Sequence, residues 1–505
     1  MSFEDDTEKI ALHEFNKTLK SNLHIKGSHL GKEFYNRVKL FPWWLHYHKG
    51  DTVESELRNN IIRIGRELDI DEKWMKDILR HTVSEFSKKG LGSDYYGYHN
   101  IQHELEAAYF ILIAICAINN SNRYNVSKKE AIYLFVAALF HDYDPLKEFD
   151  KPNEDSVEYF IRNDSKIRKF IETADLNLDI VMALVHRTAY PFEGKIAEHS
   201  KVKISQLLDK AALDQSHDYT KERYQRLGWF LSVSERIAGY ALGDFEHAKD
   251  MARRNAHALG WHPSVINKNS VKYFDQMMTN EKEMFELIMA NLPTELRRNF
   301  YTNVTAFREA WNKELGLIDL KKGTKLVFVI ENECKKLKDE TLEALMDVRK
   351  SVSTLIQINE YDFTKTLSDE STLLVTLRVN TADGKIIGYA KGGPLESYKL
   401  RPGTIDANFG QKNTAYLEGI SVVEGFWGGT GGHYLRIKFL NEAINNGYRF
   451  VTGYAHREVI LQRKKKMELI EIVHKYDPDK LDYYRIDLNN SLYQKIVTDA
   501  YDLIC

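Results

Sequence analysis

Apolar residues recur at three- and four-residue intervals through most of the first three hundred positions. Val53–Leu68, Lys129–Phe140, Asp175–His186 and Lys221–Leu242 all show this spacing, which lays one apolar stripe along an α-helix. Residues 1–315 are therefore predicted to be mostly helical. The longest apolar run, Ala107–Ile118, is too short to cross a bilayer and predicts a buried core helix. The pattern changes near Leu317. Lys325–Ile330 is a short β-branched run, and Thr341–Ile358 reads as a helix. Leu373–Asn380 and Lys385–Ala390 flank Thr381-Ala382-Asp383-Gly384, a hairpin signal with Asp-Gly in the turn. Tyr416–Val423 is a further strand, and Thr430–Asn445 a helix closed by Asn446-Gly447. Then come a strand at Tyr448–Tyr454, a helix to about Lys475 and a strand at Asp482–Leu488. Such alternation marks a separate α+β domain with a mixed sheet, joined to the all-α part through a linker at Gly316–Gly323.

A chain of 505 residues exceeds a single core of typical size and implies two or three domains. The division expected is a helical N-terminal region over 1–90, a helical domain over 91–315 and the α+β domain over 320–505. Lys and Arg number 71 against 73 for Asp and Glu. That balance argues against a nucleic-acid coat or a polybasic membrane protein. Cys116, Cys334 and Cys505 stand far apart without a CxxC pair, which excludes zinc ribbons and disulfide scaffolds. The reading is a reducing compartment. Met1–Ile10 is acidic and polar, unlike a signal peptide, so a soluble cytoplasmic protein with no membrane partner is expected. The aromatic 1–90 region, with Trp43-Trp44, carries no catalytic signal; it either packs on the helical core or offers a homodimer surface.

The strongest chemical signal lies between Tyr98 and Glu235. Tyr98-His99-Asn100-Ile101-Gln102-His103 places two histidines four apart, on one face if the segment is helical. After an apolar helix comes Ala137-Ala138-Leu139-Phe140-His141-Asp142, whose imidazole and carboxylate suit a divalent metal. His217-Asp218 repeats the dipeptide in a polar setting and reads as a loop. The two motifs in this order resemble the HD metal-dependent phosphohydrolases, and within them the cyclic-nucleotide phosphodiesterases, over roughly Gly92–Gly243. The resemblance implies His103, His141, Asp142 and Glu235 as metal ligands and His99 as the general acid that protonates the leaving oxygen. It leaves the metal open among Mg, Mn, Zn and Fe. Glu235 stands where the family has Asp. The family's His-Asp-x-x-His is also broken, because this chain reads His141-Asp142-Tyr143-Asp144-Pro145, with Asp144 a partial stand-in. His186 and His199 are further ligand candidates, and Lys151, Glu154 and Arg187 could hold phosphate. The implied substrate is a small phosphoester, cyclic nucleotides included.

The second signal is Gly425-Phe426-Trp427-Gly428-Gly429-Thr430-Gly431-Gly432 between a strand and a helix. Glycines there let a pyrophosphate approach backbone N–H groups at a helix start. The run is neither a P-loop nor GxGxxG. Strand, glycine turn, helix, strand resembles the GNAT-type N-acetyltransferases over about Thr324–Cys505, with Phe426, or Trp427 in a register shifted by one that sets Thr430 in a glycine's place, where that family has Gln or Arg. The resemblance implies acetyl-CoA as cofactor, bound by Val422, Val423, Gly428, Gly429, Thr430, Gly431 and Gly432, with Glu418 as base and Tyr476 as acid toward an undefined acyl acceptor. The expectation is a bifunctional protein, hydrolase and acetyltransferase. The alternatives are an acyl-CoA-sensing module regulating the hydrolase, or an acetyltransferase on an inert HD scaffold.

Overall fold

The computed structural model describes residues 53–121, 124–211, 217–256, 258–261, 265–321, 323–331, 339–351, 359–423, 426, 431–477, 479–489 and 503–504. Thirteen helices come first among these: α1 (Val53–Glu67), α2 (Glu72–Lys88), α3 (Ile101–Asn119), α4 (Lys128–Phe140), α5 (Glu154–Asn163), α6 (Ser165–Thr173), α7 (Leu178–His186), α8 (Gly194–Lys210), α9 (His217–Ala241), α10 (Phe245–Asn255), α11 (Ile266–Asn280), α12 (Lys282–Asn291) and α13 (Thr294–Lys321). Helix α3 is the centre. It is the one described helix long and apolar enough to span a membrane, and its whole apolar window is buried inside the protein. A helix apolar on every side needs cover on every side, and α1, α4, α9 and α12 supply it. The 53–88 part of the N-terminal region thus packs on this core through Leu57, Ile61 and Ile78. Residues 1–52, with Trp43-Trp44, lie outside the described residues.

Helix starts follow their caps. Asn100 accepts from the Gln102 and His103 N–H groups at 2.9 and 3.2 Å, so α3 begins at Ile101. Ser127 and Glu130 form a capping box at the start of α4. The stop expected at Gly316 does not occur. Helix α13 runs through it to Lys321, because an isolated helical glycine costs only about 1 kcal/mol. Gly323, at φ 91°, lies beyond the end.

The second half holds an eight-stranded sheet in the order β6-β7-β5-β4-β3-β2-β1-β8, from β1 (Lys325–Ile330), β2 (Leu373–Val379), β3 (Ile386–Pro394), β4 (Thr414–Val422), β5 (Phe450–His456), β6 (Ile470–His474), β7 (Leu481–Asp487) and β8 (Leu503–Ile504). Only β4 and β5 pair in parallel, so the sheet is mixed. Its helices are α14 (Asp339–Arg349), α15 (Glu360–Leu367), α16 (Gly431–Asn445) and α17 (Arg457–Lys465). Period-two alternation divides the faces. Leu373, Val375 and Leu377 share one core with Leu435 and Phe439 of α16, whereas Leu374 joins Leu345 and Val348 of α14. The Asp-Gly hairpin forms as read. A Cβ on Gly384 would come within 1.9 Å of Val379 O, so the turn admits only glycine there.

One element departs from expectation. The helix after β5 ends at Lys465, and Ile470–His474 is strand β6, paired with β7. Glu468 leaves the helical path to meet Arg436 of α16, with Arg436 Nη1 3.2 Å from its Oε1. Both side chains are at most 5 % exposed. Removing one partner of a buried pair costs about 3–5 kcal/mol. Glu468→Ala should lower stability on that scale in urea denaturation of the full chain, while Arg449→Ala, in an exposed pair with Asp487, should change it by less than about 1 kcal/mol.

Candidate functional site

His103, His141, Asp142 and Glu235 come together from three helices. His103 lies in the first turn of α3, His141 caps the C-terminus of α4 with Asp142 behind it, and Glu235 sits on α9. His103 Nε2 is 3.3 Å from His141 Nε2, and these two nitrogens lie 3.2 and 3.1 Å from Asp142 Oδ2. A Glu235 oxygen falls within 4.8 Å of ligand atoms of both histidines. Three donors turned toward one another at 3.1–3.3 Å have the separations that bonds of about 2.1 Å to one cation impose. The donor set therefore fits a divalent ion. Burial pushes the Glu235 carboxyl up to about 7, against the pull of His141 and Arg236. Burial also disfavours charge on His141, but the Asp142 and Glu104 carboxylates outweigh it and hold its pKa well above the usual value.

The residues behind these ligands were not read from the sequence. Glu104, fully buried, has Oε2 2.9 Å from His141 Nδ1 and accepts from the Asp142 N–H at 3.3 Å. That contact, with Ala138 O at 3.0 Å from the same nitrogen, directs Nδ1 away and turns Nε2 to the centre. The signal available was a carboxylate one residue after His103, just ahead of the apolar run of α3. Asp150 plays the corresponding part for His99, with Oδ2 3.2 Å from His99 Nδ1. His99 precedes α3, because Asn100 is extended at φ −135° and caps the helix. The shared helix face expected for His99 and His103 does not exist. Their rings nevertheless stand 5.8 Å apart and nearly perpendicular, with His99 Nε2 3.9 Å from Asp142 Oδ2. Burial lowers the His99 pKa, but Asp150 and Asp142 more than compensate and leave it above the ordinary value.

A cavity of about 830 Å³ opens beside this cluster, lined also by Lys151, Glu154, Arg187, Trp229 and Glu281. Arg187 Cζ lies over the Phe192 ring, 3.7 Å from its centroid. It shares Glu281 with Arg236, at 3.3 and 3.0 Å, and burial lowers its pKa to about 10. Other candidates are engaged elsewhere. His186 lies 2.9 Å from Glu158 in a separate group with Asp155, where Arg162 and Lys203 already supply positive charge. His199 reaches the same Asp155 at 2.9 Å. Asp144 does not stand in for the missing histidine. Its oxygens accept from Leu146 N, Ser156 Oγ and Asn153 N at 3.0, 2.7 and 3.1 Å, which ties down its loop. The side chains of His217 and Asp218 lie outside the described residues.

In the sheet half, pairing of β4 with β5 ends at Tyr416–Thr452, while β4 runs on to Val422. Beyond that pair β4 continues without β5 as its hydrogen-bonded neighbour. Val422 lies on this part of β4; the Val423 N–H is spent on Ile387 O at 2.8 Å. Gly428, Gly429 and Thr430 lie outside the described residues. Gly431 is buried, and a Cβ there would come within 2.9 Å of Leu377 Cδ2, whereas Gly432 faces open space. Glu418 is not an open base. It is ion-paired with Lys391, and the two side chains are 4 and 0 % exposed. Tyr476 follows β6 instead of ending a helix. Its hydroxyl donates to Pro402 O at 2.8 Å and lies 2.6 Å from Thr404 Oγ1.

Two kinds of solved structure are similar to the chain. The phosphodiesterase domain of a RhoPDE fusion protein from the choanoflagellate Salpingoeca rosetta aligns over 56% of this chain and 99% of its own, at 13% identity and a TM-score of 0.38. A putative GNAT-family acetyltransferase from Desulfovibrio desulfuricans aligns over 32% of this chain and 99% of its own, at 19% identity and a TM-score of 0.22. A putative acetyltransferase from Salmonella typhimurium, solved with its cofactor acetyl-CoA, aligns over 32% and 95%, at 11% identity and a TM-score of 0.23. No protein-family model and no curated protein matches the sequence.

The geometry separates ligands from scaffold. His141→Ala and Asp142→Ala should each lose divalent metal, measured by elemental analysis of the purified chain. Asp144→Ala should keep it while losing about 1–3 kcal/mol of stability, the cost of stranding buried donors. Loss of metal from Asp144→Ala would make that residue a ligand.

Proposed function

We propose that the helical half hydrolyses a small-molecule phosphoester with the help of a divalent metal held by His103, His141, Asp142 and Glu235. The observation that carries this reading is the convergence of the three donors at 3.1–3.3 Å beside His99, whose pKa two neighbouring carboxylates hold above the ordinary value. A divalent ion bound there supplies Lewis acidity toward a phosphoryl oxygen and acidifies water. The protein supplies the rest. Asp150 holds the His99 Nδ1 proton and so fixes Nε2, on the Asp142 side, as the atom that gives its proton to the leaving oxygen. Glu104 fixes the His141 ring. Arg187, braced by Glu281 and Phe192 on the cavity wall, places a planar set of N–H donors where phosphate oxygens can meet them.

For the sheet half we infer acyl-CoA binding where β4 runs beyond its pairing with β5, with regulation favoured over acetyl transfer. The ion pair of Glu418 with Lys391 favours that second reading, since a carboxylate neutralised and buried in this way cannot accept an acceptor's proton.

Two measurements test these readings. His99→Ala should lose roughly 10²–10⁴-fold in hydrolysis of a chromogenic phosphodiester such as bis(4-nitrophenyl) phosphate, with metal content retained, the range expected of a general acid. Loss of metal along with activity would make His99 a ligand. Acetyl-CoA should give binding heat with the full chain and none with Gly432→Glu, which adds a like charge in open space without disturbing the core. Absence of heat from the parent at millimolar ligand removes the coenzyme reading.

A further inference from the structure

We propose that Asp479 of the sheet half is a positioning residue for His99 of the helical half, so that the candidate hydrolytic site is fully formed only when the two halves are docked. Its activity arm rests on the phosphohydrolase reading above. His99 belongs to no helix. The segment Tyr95–His99 reaches it as irregular chain, and side-chain carboxylates hold that chain in place. Asp150 accepts the Tyr98 N–H at 2.6 Å and meets His99 Nδ1 at 3.2 Å. The approach is close enough that a Cβ on Gly97 would fall 2.4 Å from the Asp150 carboxylate. Asp150 sits in a turn closed by a bridge between Glu148 and Lys151, with Phe149 and Asp150 both left-handed at φ 50° and 58°. Two successive non-glycine residues in that region persist only where their surroundings hold them.

The surroundings include the other half of the molecule. The Asp479 carboxylate, 5 % exposed, accepts the Tyr96 N–H, two residues before the N–H that Asp150 accepts. Lys480 Nζ lies 3.6 Å from Glu148 Oε1 on the turn. The His456 ring packs on the Tyr96 ring at 5.3 Å. Two segments of the sheet half, at His456 and at Asp479–Lys480, thus hold both stretches of chain that define His99. Asp479 is itself fixed: Arg401 Nη2 and Leu481 N donate to it, each at 3.0 Å. Arg401 in turn lies over the Tyr476 ring at 4.2 Å and gives its N–H to the Tyr454 hydroxyl at 2.8 Å. Tyr476, singled out in the sequence as an acid, belongs to the brace behind Asp479.

Three full-length chains decide the matter: parent, Asp479→Ala and Asp479→Asn, whose amide oxygen can still accept the Tyr96 N–H. Asp479→Ala should lower kcat for bis(4-nitrophenyl) phosphate about 10-fold or more, a gap of about 1.4 kcal/mol, with KM and bound metal unchanged. Amide hydrogen exchange should rise in the peptide spanning 95–100. Asp479→Asn should restore most of kcat and protection. Unchanged exchange in Asp479→Ala overturns the grip whatever the activity. Raised exchange with parental kcat overturns the positioning role. A parent chain that hydrolyses no phosphodiester, with exchange still raised in Asp479→Ala, sinks the hydrolase reading and upholds the grip alone.

Discussion

Glu104 lies fully buried in the first turn of α3, ahead of its long apolar run, and its carboxylate meets the His141 ring and the Asp142 N–H. A carboxyl group in that position is tolerable only with close partners, because burying a polar group without a hydrogen-bond partner costs free energy. That requirement locks α3 to the end of α4 at one register. The lock brings His103 to His141 where α3 meets the end of α4. The apolar cover from α1, α9 and α12 completes the arrangement, since it excludes the water that would weaken the Glu104 contacts.

The same constraint appears in the sheet half with a different outcome. Lys391 and Glu418 face each other on neighbouring strands and neutralise each other deep in the domain. A carboxylate read as a base from its place on the strand before the glycine turn is therefore committed to the fold. Arg436 with Glu468 repeats the pattern and sets where α17 stops. In each of these pairs a buried carboxylate meets a partner, and what differs is whether a cavity reaches the pair. The 830 Å³ cavity reaches Asp142 and Glu235; Glu418 is enclosed.

The seam between the halves joins these two stories. His99 is placed by contacts that originate on both sides, from Asp150 within the helical half and from Asp479 beyond it. A side chain carried on irregular chain gains precision when that chain is braced from outside, because irregular backbone has no ladder of its own to hold it. A smaller cavity of about 230 Å³ lies along this seam.

Much of this was legible in the sequence. The three- and four-residue periodicity gave the helices, the Asp-Gly pair gave the β2–β3 hairpin, and the two histidine motifs named the residues that converge. These are local signals, carried by periodicity, caps and turn chemistry. What the sequence could not convey depended on contacts between distant residues. Asn100 was free to be a helical residue until its side chain proved to cap α3, which moved His99 off the helix. Ile470–His474 carried a helix-like reading until β7 offered it a partner. Glu418 and Asp144 looked like chemistry until Lys391 and the 146–156 loop engaged them. Glu104, Asp150 and Asp479 carried no motif at all, because a residue that holds another in place is defined by its partner's position and not by its own neighbours in the chain. Tertiary structure alone decides which buried charges meet, since burial fixes their energy and only the fold brings the partner within 3 Å.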